Sequence, residues 1–352
     1  MDCSRPNKFE LLTRQVIQQG LCVSCGACVD FCPYFQYIDG KVVALDACEA
    51  ETKRCENVCP RTDLFNDSLE RIKRRSKAKH PLGPSKKIIL ACSQDPEILA
   101  AAQYGGVVSS ILALALEENL VDAAVVVSKG NGGSPCGRLI QTQSEILDCA
   151  GSRYTASASL AMINRNEKNE KGILAVVGLP CQMEALARME DLPGQEKDVA
   201  ERIRLRIGLF CTWALSYRDL MRFLKQKGVY QEVKKYDIPP PPATVLRVLI
   251  DQEWQEFPIE EIRPFIQKGC SLCQDMTAEF ADISVGMVEG VERMNTVIVR
   301  NDIGTKIIDQ ALDKKMIEVS EISESQLKHL EFAADKKRRQ GRAMKEEMKR
   351  NS

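Results

Sequence analysis

The chain has 352 residues, of which 28% are charged and 44% are hydrophobic, enough to bury a substantial core in two or three domains. Lys plus Arg and Asp plus Glu number 49 each, so the field of the whole chain excludes electrostatic steering toward nucleic acid or an anionic membrane. No apolar run approaches the ~20 residues of a membrane span, and residues 1–10 lack the apolar core of a signal peptide. We therefore expect a cytoplasmic protein, either free or peripheral to a membrane complex.

Cysteine is the most informative residue type, with 15 in the chain. Disulfide frameworks belong to small secreted domains, whereas this chain is long and lacks a signal core. The two histidines, His80 and His329, lie outside any motif, which disfavours histidine-based zinc or haem sites. Metal ligation by cysteine is therefore the better interpretation.

Residues 1–65 are predicted to form a ferredoxin-like iron–sulfur module. The first half reads Cys22-x2-Cys25-x2-Cys28-x3-Cys32-Pro33, a spacing in which three thiolates wrap one cubane and the fourth faces a second cubane. The second half reads Cys48-x6-Cys55-x3-Cys59-Pro60. Few apolar runs occur here, so the clusters are expected to hold the module together.

The crossed ligation of two-cluster ferredoxins assigns one 4Fe-4S cluster to Cys22, Cys25, Cys28 and Cys59. It leaves three thiols for the other cluster: Cys32, Cys48 and Cys55. Glu49 and Thr52 stand where the regular repeat would place cysteines. The second cluster is then a three-iron form, takes a non-cysteine ligand or uses Cys3, and a single-cluster module is the alternative.

Residues 66–87 combine a run of Arg and Lys with Pro81, Gly83 and Pro84, and are interpreted as a connecting helix and basic linker. From residue 88 onward, short apolar runs alternate with amphipathic segments, which is typical of an α/β core with parallel strand pairing. Strands are predicted at 87–92, 122–128, 172–178 and 202–210, and helices at 107–118, 158–166 and 181–189.

Later elements break this alternation. Residues 239–242 are four prolines, a rigid extended connector, and residues 244–259 are predicted to form a strand pair that makes the sheet mixed. Residues 321–352 are predicted to be a polar helical tail with little to bury. The fold class is therefore α/β, or α+β overall, with the ferredoxin-like module followed by a mixed-sheet core.

Five segments of the core place glycine or cysteine at predicted turns and strand ends. They are Tyr104-Gly105-Gly106, Gly151-Ser152-Arg153-Tyr154, Gly178-Leu179-Pro180-Cys181, Gly208-Leu209-Phe210-Cys211 and Cys270-x2-Cys273-x8-Asp282. Glycine at a strand-to-helix junction lets backbone amides approach a phosphate or a flat ring. Any one segment alone is better explained as a turn glycine or a core cysteine.

In this order, the segments closely resemble the beta-subunit family of coenzyme F420-reducing hydrogenases and F420-dependent dehydrogenases. The resemblance covers residues 88–320. The attached ferredoxin module resembles the arrangement in F420H2-oxidising input subunits of respiratory complexes and in formate dehydrogenase beta subunits. The resemblance implies FAD, one core 4Fe-4S cluster, and coenzyme F420 as a substrate stacked near the flavin.

The resemblance also implies site residues. A core cluster would be ligated by Cys181, Cys211, Cys270 and Cys273. Cys270-x2-Cys273 alone is also compatible with zinc or redox-active thiols, although no second pair completes a zinc site. The flavin would be held by Tyr104, Gly105 and Gly106, by Gly151, Ser152, Arg153 and Tyr154, and by Gly178, Leu179 and Pro180. Arg153 is either a phosphate contact or a surface ion pair. Cys92, Cys136 and Cys149 are expected to be ordinary small buried residues.

The function implied is electron exchange between F420 and a partner redox complex, through FAD and two to three clusters. FAD converts two-electron hydride chemistry to one-electron transfer, and no catalytic acid or base is needed. Alternatives are a ferredoxin-like relay without F420 activity, or a reductase that uses NAD(P)H or ferredoxin with another substrate.

A dinucleotide fingerprint at residues 130–135 is disfavoured, because Pro135 replaces the third glycine. Partners that would suit are a hydrogenase, a formate dehydrogenase, a heterodisulfide reductase-like protein or a membrane quinone-type complex. Oxygen-sensitive clusters indicate an anaerobic host.

Overall fold

The computed structural model describes residues 11–46, 54–62, 80–130, 134–166, 172–192, 199–239, 243–287, 291 and 293–350. Cys3, Cys48, Glu49, Thr52 and most of the predicted basic linker therefore lie outside the described residues. Among the described residues, no helix combines the length and apolar character needed to cross a membrane.

A mixed eight-stranded sheet forms the centre of the described structure. Its strands are β3 (Lys87–Ser93), β4 (Ala123–Lys129), β5 (Pro135–Ile140), β6 (Leu174–Gly178), β7 (Ile203–Leu209), β11 (Ile283–Met287), β12 (Asn295–Val299) and β13 (Ile317–Ser320). The spatial order is β13-β3-β12-β11-β7-β6-β4-β5. Strands β4, β6, β7 and β11 pair in parallel, and the outer pairs are antiparallel.

The predicted strands of this sheet are confirmed because their apolar runs are buried on both faces, as parallel strands require. In β4, Ala124 and Val126 pack on one face while Val125 packs on the other. In β6, Ala175 and Val176 divide in the same way. A strand follows residues 130–134, so the β4–β5 hairpin takes the place of the helix that a dinucleotide fingerprint would need.

Helices cover the sheet, and their boundaries follow from local capping. Asp95 caps the first of them by accepting from the amides of Glu97 and Ile98 at 2.8 and 3.2 Å. They are α2 (Pro96–Ala101), α3 (Val107–Glu117), α4 (Gln143–Cys149), α5 (Ala161–Asn166), α6 (Pro180–Glu190), α7 (Tyr217–Gln226), α8 (Ile259–Ile262), α9 (Asp302–Asp313) and α10 (Glu324–Arg350). The predicted helix at 158–166 is shorter than expected and begins at Ala161, because residue 158 has no regular secondary structure and residues 159–160 form a turn.

The predicted strand pair at 244–259 exists, but its expected place in the main sheet is wrong. β9 (Val245–Ile250) and β10 (Glu253–Pro258) join β8 (Lys235–Asp237) in a separate three-stranded antiparallel sheet. That sheet shares an apolar cluster with α7, including Leu220, Leu246 and Val248. The main sheet is mixed because its outer strands pair antiparallel.

The N-terminal segment packs on the core and shares its apolar interior. It comprises a π-helical segment (Leu11–Ile17), strands β1 (Phe35–Ile38) and β2 (Lys41–Ala44), and helix α1 (Arg54–Val58). Val23, Ala27 and Val58 belong to the same apolar cluster as Met183 and Leu186 of α6. Burial against the core therefore stabilises this segment. From the sequence, only the clusters were expected to hold it together.

Two further expectations change. Residues 80–86 of the predicted linker are fixed to the core: Leu82 is fully buried and its carbonyl accepts from Arg300 and Thr277 at 3.0 Å each. The expectation that the C-terminal tail has little to bury is wrong, because α10 buries Ala334, Lys337 and Gly341 against the body of the protein.

Candidate functional site

The first group of predicted ligands lies around one cavity. Cys22, Cys25, Cys28 and Cys59, here called the N-terminal quartet, line an apolar space of about 350 Å³ including its opening to solvent. The rest of the lining is mainly apolar: Leu12, Val16, Ile17, Val23, Gly26, Ala27 and Val42. The three thiols of the Cys-x2-Cys repeat thus meet the distant Cys59, as crossed ligation requires.

The loop that carries the first three thiols is fixed by the core. The Cys25 carbonyl accepts from the amide of Leu160 at 3.3 Å, and Asn164 Nδ2 donates to the carbonyls of Ala27 and Val29 at 3.0 and 2.7 Å. Gly26 has a φ of 89°, and a Cβ there would lie 2.6 Å from the backbone of Ala158. Glycine is needed at this position for both reasons.

The second group surrounds a neighbouring cavity. Cys181, Cys211, Cys270 and Cys273, here called the core quartet, line a space of about 320 Å³ including its opening. β6 and β7 pair with Gly178 opposite Gly208, so Cys181 and Cys211 each follow a carboxyl strand end by three or fewer residues. A 3-10 helix at Lys268–Leu272 brings in Cys270, and Cys273 follows it directly. The carboxyl edge of a parallel sheet is a common ligand site.

Val23 lines both cavities, so the two quartets surround neighbouring spaces. Among the described residues, no three Cys, His, Asp or Glu side chains are arranged to hold a single metal ion. The thiols instead surround spaces lined by four cysteines each. Ligation of clusters by both quartets remains a prediction that this arrangement supports.

Two buried cations accompany the core quartet. Arg61 and Lys337 both line its cavity and are 3% and 8% exposed. Arg61 donates from Nε to the Gly269 carbonyl at 2.9 Å and from a terminal nitrogen to the Pro60 carbonyl at 2.8 Å. Lys337 donates to the Cys211 carbonyl. An uncompensated buried ion costs several kcal/mol, so the cavity favours an anionic occupant.

The thiols alone do not supply this negative charge. Burial raises the pKa of Cys181 well above its ordinary range, and Arg61 opposes the shift. Burial raises the pKa of Cys211 to about 12, and Lys337 opposes it. These thiols are therefore protonated near neutral pH unless a metal binds the sulfur. The residues present thus fit an anionic iron–sulfur cluster better than four free thiols.

The second N-terminal cluster is less completely placed. Cys32 and Cys55 are half-buried and pack at the edge of the apolar cluster that contains Leu12, Val16 and Phe35. Cys48, their predicted companion, and Cys3, the alternative ligand, lie outside the described residues. The number and type of clusters held there remain predictions.

Part of the predicted flavin site converges on one polar group. Tyr104 Oη and Gln103 Nε2 donate to the Asp237 carboxylate at 3.3 and 2.7 Å, and the amide of Ile238 donates to Tyr154 Oη at 3.1 Å. Burial raises the pKa of Tyr154 to about 12 and, with Tyr154 and Asp237 nearby, raises that of Tyr104. Residues of β8 and the two predicted loops therefore meet here.

Arg153 lies beside this group and is largely buried, which lowers the pKa of its guanidinium. Its Nε has no hydrogen-bond partner among the described residues. The alternative of a surface ion pair is therefore wrong for the described part of the chain. Gly151 has a φ of 89°, and a Cβ added there would meet only Arg153 within 4 Å. The loop therefore leaves open space beside the guanidinium.

The predicted glycines differ in what surrounds them. A Cβ on Gly105 would lie 2.8 Å from the Ala91 carbonyl, and one on Gly106 would lie 2.8 Å from Ile98. Close packing within the protein therefore accounts for both. Leu179 and Pro180 line the core-quartet cavity, away from the Tyr104 group. The two regions are linked because the Tyr154 carbonyl accepts from Leu215, which follows cavity residue Ala214.

The remaining cysteines lie apart from both quartets. Cys92 is buried and its thiol donates to Glu318 at 3.1 Å. Cys136 and Cys149 are only half-buried, so the expectation of full burial is wrong for these two.

Sequence reasoning missed Arg61 and Lys337. A weak signal existed for Arg61, which directly follows the Cys59-Pro60 dipeptide. None existed for Lys337, one of several cations in the run Lys336 to Arg339.

Family models identify the family to which the chain belongs. Family models of the coenzyme F420 hydrogenase/dehydrogenase beta subunit match residues 88–164 (N-terminal part) and 172–325 (C terminus). The chain belongs to the F420 hydrogenase/dehydrogenase beta-subunit family. A 4Fe-4S binding domain model also matches residues 16–35, which confirms the ferredoxin-type motif ahead of the family core.

Relatives of this chain include oxidoreductase subunits and an oxidoreductase enzyme. One relative is the coenzyme F420 hydrogenase subunit beta of Methanothermobacter thermautotrophicus. The alignment covers 69% of this chain and 87% of that protein, with 34% identity. The chain is 30% identical over 94% of its length to a coenzyme F420-dependent sulfite reductase of Methanocaldococcus jannaschii, and spans about half, 52%, of that protein.

A solved structure shows the same fold. One chain of the F420-reducing NiFe hydrogenase complex from Methanosarcina barkeri matches with a TM-score of 0.71 and 27% identity, over 76% of this chain and 93% of that one. The beta-subunit fold and family expected from the sequence are therefore confirmed.

Proposed function

We propose that the chain is an electron-transfer oxidoreductase subunit that exchanges electrons between coenzyme F420 and a partner redox complex, using FAD and 4Fe-4S clusters. The observation that carries this proposal is that two sets of four cysteines line neighbouring cavities that share Val23. Clusters held in neighbouring cavities would form a path for single electrons. The family and its F420-linked relatives support the choice of F420 as the two-electron partner.

The N-terminal quartet would hold one cluster and the core quartet another. Four thiolates close each set, as a cubane requires. Cys32, Cys55 and Cys48 are the candidates for a third. Electrons would then move between the core quartet, the N-terminal quartet and the surface near Cys32 and Cys55, where a partner subunit would dock.

The group of Tyr104, Arg153, Tyr154 and Asp237 would hold FAD. The unpartnered guanidinium of Arg153 and the open loop at Gly151 fit an anionic diphosphate. FAD, when bound, supplies the conversion between hydride transfer and single-electron transfer. The side chains orient the ring and exclude water, and no acid or base is assigned. The hydrogen bond from the Leu215 amide to the Tyr154 carbonyl supports electron transfer between this group and the core quartet, because Leu215 directly follows cavity residue Ala214.

The test is turnover by full-length protein prepared without oxygen and loaded with iron, sulfide and FAD. We expect the protein to oxidise reduced F420 when an artificial one-electron acceptor is present, so that the absorbance of oxidised F420 recovers. Without the acceptor, this absorbance should not recover. Turnover with NADH but not with reduced F420 would refute the choice of substrate.

Two further measurements separate the rivals. Flavin released on denaturation distinguishes an FAD enzyme from a ferredoxin-like relay, which would carry iron but no flavin. A Cys211→Ser variant should keep its flavin and its direct reduction by F420H2, while transfer to the acceptor falls at least tenfold. An unchanged acceptor rate in that variant would exclude the core quartet from the path.

A further inference from the structure

Two buried cations accompany the core quartet. Arg61 and Lys337 are buried, and their hydrogen bonds go to the carbonyl oxygens of Gly269, Pro60 and Cys211. Within the described part of the chain, neither side chain forms an ion pair. Both charges therefore face the cavity without a fixed counterion.

Nearby acidic groups are already engaged. Glu184 forms an ion pair with Arg188 on the next turn of α6. The carboxylate of Asp275 accepts from the amides of Thr277 and Glu279 at 2.9 and 2.8 Å. Because Glu184 is paired with Arg188, the Asp275 carboxylate is left as one negative charge against the two positive charges of Arg61 and Lys337, and the balance around the core quartet is positive.

The two cations differ in position. Arg61 follows Cys59 of the N-terminal quartet by two residues, and it lines the cavity of the core quartet. Its charge acts on Cys22 and Cys25 on one side and on Cys181 and Cys270 on the other. Lys337 enters from α10 and acts on Cys211 and Cys270 of the core quartet.

We propose that Arg61 and Lys337 are counter-charges that set the reduction potentials of the clusters, Arg61 for both clusters and Lys337 for the core cluster alone. This inference rests on the proposed function, since it requires clusters in both quartets. Reduction adds one electron and no proton to an already anionic cluster. A buried cation stabilises the reduced form more than the oxidised form, so it raises the potential. The two residues tune electron transfer and touch no substrate.

The experiment is a redox titration followed by EPR on full-length, anaerobically loaded protein. The variants are Arg61→Met, Arg61→Lys and Lys337→Met. Lys336→Met is the matched control, because Lys336 is the exposed neighbour of Lys337 on the same helix. The signal that disappears in Cys211→Ser identifies the core cluster.

Lys337→Met should shift the oxidised-to-reduced ratio of the core cluster at fixed potential by at least tenfold toward the oxidised form, about 59 mV for a one-electron couple. The N-terminal cluster should keep its potential. Arg61→Met should lower both potentials, and Arg61→Lys should restore most of the difference. Lys336→Met should match the parent protein.

Potentials in Lys337→Met and Arg61→Met that equal those of Lys336→Met would overturn the inference. Should Arg61→Met fail to fold, the Lys337→Met arm decides the question for the core cluster. A parent protein without iron and acid-labile sulfide would overturn the proposed function as well. Iron-loaded protein whose reduction potentials are unchanged by Arg61→Met and Lys337→Met would overturn this inference alone.

Discussion

At the scale of single residues, the cysteines divide into quartet members and bystanders. The quartet thiols line two cavities, whereas Cys136 is half-buried in β5, outside both. Thiolate sulfur is the cluster ligand, and replacing one sulfur by a hydroxyl removes a soft ligand with little change in volume. Each quartet therefore gives a separate test.

Cys181→Ser should lose about four iron atoms per chain and keep the cluster of the N-terminal quartet, because a cubane needs its four ligands. Iron and acid-labile sulfide are measured on anaerobically purified protein. Cys136→Ser is the control and should retain the parent content. Equal iron in both variants would contradict ligation by the core quartet.

Arg153→Met should reduce bound FAD at least tenfold, because the variant removes the donor fork that faces the open loop at Gly151. Arg153→Lys should retain an intermediate amount. Flavin is quantified by absorbance after denaturation. Arg138→Met, at a half-exposed arginine paired with Glu145, is the control. Normal flavin content in Arg153→Met would exclude this residue from the site.

At the scale of elements, close backbone contact at Gly26 holds the loop that carries Cys22, Cys25 and Cys28. Gly26 and Gly228 share a left-handed backbone, with φ of 89° and 85°. A Cβ on Gly26 would clash with Ala158, whereas a Cβ on Gly228 would meet nothing within 4 Å. Alanine substitutions at the two glycines therefore distinguish the cost of backbone strain from the cost of a packing clash.

Gly228→Ala should lower the free energy of unfolding by about 1 kcal/mol, the cost of left-handed strain alone. Gly26→Ala adds a backbone clash and should cost at least about 2 kcal/mol, with loss of the N-terminal cluster. Thermal unfolding and iron content measure the two effects. Similar stability and iron content in both variants would show that the loop is not fixed by Ala158.

Gly341 of α10 lies against the Cys273 carbonyl, and a Cβ there would approach that oxygen to 2.4 Å. Gly341→Leu should therefore displace α10 and destabilise the protein by about 1–3 kcal/mol, the usual cost of overpacking. The core cluster should also bleach faster in air, as Lys337 leaves its cavity. Ala343→Leu, at an exposed position two residues on, serves as the control. Equal bleaching rates would separate α10 from the core quartet.

At the scale of the whole molecule, local pattern predicted the strands of the main sheet, and each predicted set of four cysteines lines one cavity. Apolar runs such as Leu174 to Val177 are local signals of buried strands, and the Cys-x2-Cys spacing is a local signal of a cubane. The partners of β9 and β10 were not predictable, because strand pairing depends on distant residues. Lys337 was equally hidden, since burial of one cation in a charged run depends on how α10 packs.

The N-terminal segment and the core share an apolar interior. Val23 lines both cavities, and Arg61, in the loop after Cys59, lines the cavity of the core quartet. The segment predicted to be a module held by its clusters is thus also held by α6 and the loop before α5. This packing fixes the separation of the two quartets.

The most direct test of the central claim is EPR of the fully reduced, anaerobically prepared protein, together with its iron content. We expect about eight iron atoms or more per chain and two cluster signals broadened by mutual spin coupling, since the two quartets line neighbouring cavities. Cys181→Ser should remove the broadening and leave one simple signal. Iron-free protein, or two signals that do not interact, would contradict the presence of neighbouring clusters in the two quartets.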